Sequence, residues 1–171
     1  LATLPAAAFA QTFPTTVTDL IGRPVTVETA PQRIVTTSPS ALELLYAAGG
    51  TAIARSSTAT GVPGADAMAD IGNAYTPSPE LILAQTPDLI IADAALQPHL
   101  AGALGALGAP LIYVGANRFD DIPASLRLIG QVTGNAGTAE AAAAAADATR
   151  AAVTASVAGL APTRTLVLVA G

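Results

Sequence analysis

No cysteine, lysine or tryptophan occurs among the 171 residues, and the single histidine is His99. Without cysteine there can be no disulfide, thiolate metal site or cysteine nucleophile, and no cysteine to carry a lipid behind a signal peptide. One histidine excludes a multi-histidine zinc site within the chain. Without lysine there is no phosphate-loop lysine, and G-x-x-x-x-G-K-[ST] is absent. Seven arginines stand against twelve acids, a formal net charge of −5. That removes the basic face of a nucleic-acid binder and the polybasic patch of a membrane-surface protein. Aromatic residues make up only 4%. The apolar stretch from Leu81 to Leu96 is interrupted by Gln85, Pro87, Asp88 and Asp93, so it does not read as a membrane span.

What is present is apolar and small. Hydrophobic residues are 51% of the chain, enough at this length for one domain, or one domain and part of another. Residues 1–10 are apolar and end in Ala8-Phe9-Ala10. They read as the tail of a secretory signal peptide cleaved before Gln11, or else as a disordered Ala-rich terminus. At the other end, Arg164 to Val169 has a strand pattern that halts at Gly171. A buried strand needs a neighbour and a covering helix, so the chain reads as truncated at both ends.

Between the ends, Val17 to Glu28 predicts two short strands around a Gly22 turn. Arg33 to Thr37 is a buried strand. Ser38-Pro39-Ser40 opens a helix that stops at Gly49-Gly50. Thr51 to Arg55 is a short strand, and Ser56 to Pro77 a long polar loop. Ser78-Pro79-Glu80 caps a helix ending near Gln85. Then follow a strand (Asp88–Ala92), a helix (Gln97–Leu107), a strand (Pro110–Val114) and a helix (Ile122–Val132). Strands alternating with helices of this length make βαβ units and a parallel sheet. Thr138 to Ala158 is an unbroken Ala-rich helix pattern of 21 residues, roughly 30 Å long. It suits a linker between two lobes, or a packing helix on the sheet.

Catalytic patterns are missing. There is no G-x-S-x-G elbow. The first strand leads into Thr-Ser-Pro-Ser, not the glycine-rich dinucleotide turn. His99 reads as a first-turn surface residue, and the acids form no evident catalytic pair. Binding is the better prospect, because open parallel sheets take ligands beyond the carboxyl ends of their strands. Those ends carry Ser38, Pro39 and Ser40, then Ser57 and Thr58, then Asn73 and Tyr75, then Arg118. Each has a plainer reading too. Ser38 and Ser40 cap a helix, Tyr75 packs under its loop, and Arg118 is a solvated charge. The clustering at one sheet edge favours the ligand reading. Tyr75 is also a candidate oxygen ligand to ferric iron.

Five blocks carry a resemblance: VTDLIGRPVTVETAPQRIV, SPSALELLYAAGG, ADIGNAYTPSPELILAQTPDLIIAD, LGALGAPLIYVG and IPASLRLIGQVTG. In order and spacing they resemble the periplasmic substrate-binding proteins of ABC importers for ferric siderophores, haem and cobalamin. The resemblance runs from Val17 to Gly171. It implies an α/β fold: a parallel-sheet, Rossmann-like lobe, then a long interlobe helix and the first strand of a truncated second lobe. Residues 1–10 would be the signal remnant, 11–137 the first lobe, 138–158 the interlobe helix and 159–171 the start of the second lobe. It implies capture of a metal chelate between the lobes and delivery to a permease, by a monomeric, exported, periplasmic protein that is not an enzyme and holds no cofactor of its own. Glu80 matches the family's glutamate that pairs with permease arginines; its plainer reading is an acid at a helix start. Two departures bear on the ligand. Asn73 stands where the haem branch has tyrosine, and Thr58 and Ala74 stand where the cobalamin branch often has aromatics. Both turn the expectation toward a ferric siderophore. The rival reading is a Rossmann-like enzyme acting on a small molecule.

Overall fold

The computed structural model describes residues 12–161. The signal-like residues 1–10 and the strand pattern at Arg164–Val169 lie outside the described residues. The chain opens with an antiparallel pair, β1 (Thr15–Thr18) and β2 (Pro24–Val27), as the Gly22 turn predicts. A five-stranded parallel sheet follows. Its strands are β3 (Ile34–Thr36), β4 (Ala54–Arg55), β5 (Ala69–Asp70), β6 (Leu89–Asp93) and β7 (Leu111–Val114), in the order β5-β4-β3-β6-β7. The helices are α1 (Pro39–Ala47), α2 (Pro79–Ala84), α3 (Ala101–Gly105), α4 (Asp121–Thr133) and α5 (Ala136–Val157).

The sheet is buried on both faces, which is why its strands read as continuous apolar runs. Alternation along each strand still decides which side chain meets which layer. Leu89 and Ile91 of β6, with Ile112 and Val114 of β7, pack under α1, α4, α5 and the β1–β2 pair. Ile90, Ala92, Leu111 and Tyr113 pack on the other face, against Ile82 of α2 and Leu104 of α3. A satellite cluster of Leu42, Ala59, Val62 and Ala65 sits beneath the loop after β4.

The α4–α5 contact depends on a glycine. A Cβ at Gly130 would lie 2.4 Å from the Ala139 Cβ, so only glycine lets the Ala-rich helix lie this close. Ala139 and Ala143 are the buried residues of α5, while residues 147–161 are all exposed.

Three expectations change. The Ser56–Pro77 loop contains a 3₁₀ turn (Ala65–Ala67) and the edge strand β5. Two-residue strands are made by pairing with a neighbour, not by local propensity, so the Gly- and Ala-rich sequence hid it. The helix expected over Gln97–Leu107 is a 3₁₀ turn (Pro98–Leu100) followed by the five-residue α3. Gly102 and Gly105 weaken it, and Gln97 stays outside it. The long helix runs Ala136–Val157, two residues earlier at its start than the alanine run suggests.

Candidate functional site

The strand order reverses between β3 and β6. From β3 the chain moves out through β4 to β5, then returns through α2 to β6 on the opposite side of β3. The crevice above the carboxyl ends of β3 and β6 is therefore the switch point where such sheets take ligands.

The floor there is a polar network. Ser38 caps α1 by accepting the Ala41 amide at 3.1 Å, and Ser40 donates to the Asp93 carboxylate at 2.6 Å. The two hydroxyls lie 3.0 Å apart. Asp93 also accepts the amides of Ala95 and Leu96. Ser38 is 1% exposed, so it sits beneath the edge and supports Ser40, while Pro39 and Ser40 are half-buried. Sequence reasoning passed over Gln97 as an ordinary helix start. It is fully buried beside Thr37 and Asp93. The available signal was a lone amide just after a strand end and before Pro98.

On the β4–β5 side, Ser56 is buried and its hydroxyl lies 2.8 Å from that of Thr58, which is exposed. Ser57 donates its amide to the Gly72 carbonyl at 2.8 Å, which brings the β4 and β5 loops together. Gly72 has φ +91°, a conformation that favours glycine, and pairs across the loop with Pro77. Between them Asn73 folds a tight turn, its side-chain oxygen accepting the amides of Tyr75 and Thr76 at 2.8 and 3.0 Å. Tyr75 is 66% exposed at the tip; it does not pack under the loop. Just below, the Asp70 carboxyl is held below its ordinary range by the Gly72 amide and by Arg55.

Arg118 is brought to the same edge but not to the same place. It is exposed after β7, its amide donating to Asp121. Four strand spacings separate β7 from β5, roughly 19 Å. Arg118 thus follows β7 and Tyr75 follows β5, but the turn that bears Tyr75 reaches back over the sheet to the connection after β6, where the Gln97 side-chain nitrogen donates to the Ala74 carbonyl at 2.6 Å. Beside Arg118, the Arg150 guanidinium of α5 pairs with Asp120 and lies over the Phe119 ring.

Glu80 is exposed in the first turn of α2. Its own backbone amide and the Ser78 hydroxyl, which donates at 2.8 Å, lower its pKa and keep it charged. Leu81 and Leu83 are exposed beside it. Helix capping thus holds in the structure without occupying the outward face of the carboxylate.

A groove of about 240 Å³ lies between α1 and α4, with Ser40 and Ala116 at its rim and Leu44, Ile122 and Leu126 inside. Two hollows of similar size lie at the opposite edge, lined by residues such as Gly50 and Asn135, and Asp88 and Gly108. No group of three or more acids or histidines suited to a metal ion occurs among the described residues. His99 is exposed in its 3₁₀ turn. Among the described residues, no helix is long and apolar enough to cross a membrane.

Comparison with known proteins agrees with this geometry. The vitamin B12-binding protein of Pectobacterium carotovorum subsp. carotovorum is 37% identical over 100 residues, 57% of this chain and 36% of that protein. The periplasmic vitamin B12-binding protein BtuF of Vibrio cholerae superposes with a TM-score of 0.71 at 26% identity, covering 78% of this chain and 53% of that one. SirA of Staphylococcus aureus, in complex with staphyloferrin B, superposes with a TM-score of 0.68 at 20% identity, covering 84% and 52%; at that identity it shows the fold alone. The chain spans about a third of the length of its curated relatives and about half that of the solved structures. The sequence profile described as periplasmic binding protein matches residues 34–171. The chain belongs to the periplasmic binding protein family.

Proposed function

We propose that this chain is the first lobe and interlobe helix of a periplasmic substrate-binding component of an ABC importer. It captures a metal chelate and delivers it to the permease. The observation that carries this reading is the open edge above the switch point. Ser40, Ser57, Thr58, Asn73, Tyr75 and Arg118 all stand at the carboxyl ends of the strands. Residues 11–137 form the lobe, with Ser38 and Pro39 bracing its floor. Residues 138–158 form the interlobe helix and 159–171 start the second lobe. The course of α5 supports this. The helix starts beside Gly49, where Asn135 donates to its carbonyl, and reaches Asp120 at the ligand edge by Arg150.

The ligand is a ferric siderophore. Tyr75 offers an exposed phenol, a hard oxygen donor suited to ferric iron or to its oxygen-rich chelators. Cobalamin is the second reading, favoured by the 37% identity to a vitamin B12-binding protein. Glu80 is the docking residue, because an exposed carboxylate, charged at neutral pH, fixes register against a cationic partner. The protein acts as a monomer, is exported through a signal at residues 1–10, is not an enzyme and holds no cofactor of its own.

The test titrates the complete gene product with a ferric catecholate, a ferric hydroxamate, haemin and cyanocobalamin, reading tyrosine fluorescence. Quenching by a ferric siderophore at one equivalent, weakened in Tyr75→Ala, supports the proposal. Saturation by cyanocobalamin alone selects the second reading. Thermal stabilisation by a nucleotide with no response to any chelate returns the protein to the enzyme class. The isolated residues 11–171 bind weakly on this reading, since they supply half the cleft.

A further inference from the structure

Gln97 is fully buried, yet it is the most connected side chain of the floor. Its oxygen accepts the Thr37 hydroxyl at 2.6 Å and the Asp93 amide at 2.8 Å. Its nitrogen donates to the Thr37 carbonyl at 3.0 Å and to the Ala74 carbonyl at 2.6 Å. All four hydrogen-bonding positions of the amide are used. The main chain of Gln97 is anchored as well. Its amide donates to the Asp93 carbonyl, and its carbonyl accepts the Tyr113 hydroxyl at 3.1 Å. One residue thus joins the ends of β3, β6 and β7 to the turn that follows β5. Apart from the burial of Ala74, that turn otherwise hydrogen-bonds only within itself. Among the described residues, Gln97 to Ala74 is the single hydrogen bond between residues 73–76 and the rest of the protein.

We infer that Gln97 is a positioning residue. It fixes the turn of residues 73–76 against the switch-point crevice and so sets the placement of Asn73 and Tyr75 for ligand. A side chain that only filled the core would bond to its own layer. This one reaches from the β6–α3 connection across the crevice to the turn bearing two of the proposed contacts. The inference rests on the binding reading for its ligand half alone; the fixing of the turn is independent of any ligand.

Hydrogen exchange separates the two halves. Gln97→Met keeps length and volume and removes all four bonds. The expected result is amide exchange at Tyr75 and Thr76 about tenfold faster or more, with Ile90 and Ile91 of β6 nearly unchanged, as for a locally opening unit. Thr37→Val is the control. It removes one partner of Gln97 and leaves the bond to Ala74, so residues 73–76 keep their protection relative to β6. Unchanged exchange at Tyr75 and Thr76 in Gln97→Met, or equal acceleration everywhere, overturns the inference. Should Gln97→Met fail to fold, the wild-type protein gives the answer by NMR. Side-chain amide protons of Gln97 that exchange together with the Tyr75 and Thr76 amides support the inference, and exchange together with Ile90 instead overturns it. The ligand half is read with the probes named above: at least a tenfold loss of affinity in Gln97→Met is expected. A loosened turn with unchanged affinity overturns that half. Failure of the wild-type protein to bind any probe sinks the binding reading and leaves the exchange result standing.

Discussion

At the amino end of the sheet, Asp88 accepts the amides of Gln32 and Arg33 at 2.7 and 2.8 Å, and Arg33 donates to the carbonyls of Gln85 and Thr86. There the charged groups are consumed in tying the start of β3 to the end of α2 and the start of β6. At the carboxyl end, Ser38, Asp93 and Gln97 are similarly consumed and Asn73 spends its amide inside its own turn, but the side chains of Tyr75 and Arg118 remain exposed above them. Both edges are polar. One is closed on its own backbone, and the other is closed below and open above. Polarity at a sheet edge is therefore not the mark of a site; the mark is polar groups left over after the backbone has been satisfied.

The comparison breaks first at the closed edge. Asp88→Ala leaves two amides without their charged acceptor and is expected to destabilise by about 2–3 kcal/mol, read from the urea midpoint. Chelate affinity of the surviving folded protein stays unchanged. At the open edge the equivalent weak point is backbone geometry. Gly72→Ala forces a Cβ to 3.3 Å from the Ser78 nitrogen and the Thr76 oxygen at φ +91°. It should cost about 1–2 kcal/mol and lower chelate affinity as the turn moves. Tyr75→Ala sharpens the contrast. Stability is expected to change by less than about 0.5 kcal/mol, since the ring is exposed, while affinity falls. The smallest effect is acid sensitivity. Asp70 and Glu80 at the open edge, and Glu140 in its pair with Arg127, all have lowered folded pKa values. Their contribution is present above the unfolded carboxylate pKa, about 4, and is lost as pH falls through the lower folded values. Urea midpoints should therefore decline slightly from pH 5 to pH 3, and Asp70→Asn should flatten part of that decline. A decline unchanged by Asp70→Asn would assign the acid response elsewhere.

The parallel sheet was legible because burial on both faces writes β3, β6 and β7 as plain apolar runs, and because Ser38, Ser78 and Gly134 mark helix ends. β5 was illegible, since Ala69 and Asp70 owe their strand geometry to pairing with Ala54 and Arg55. In the site, the exposed residues were legible one by one from their positions after strands. Their spacing was not. The sequence carries no sign that β4 and β7 flank β3 and β6, which is what puts Arg118 and Tyr75 after strands on opposite sides of the switch point. Gln97 was missed for the same reason: its partners lie 60 and 23 residues away in the chain.

Local chemistry in the sequence determined which segments are strands and helices, where most of them stop, and the lack of cysteine, lysine and multiple histidines that excludes thiolate, phosphate-loop-lysine and multi-histidine metal chemistry. Those choices depend on side-chain periodicity, capping and composition, which act within a few residues. Only the tertiary structure decided the strand order, and with it the switch point and the partners of the buried Gln97 amide. These arise from pairings between distant segments, whose free energy lies in contacts that no local pattern records.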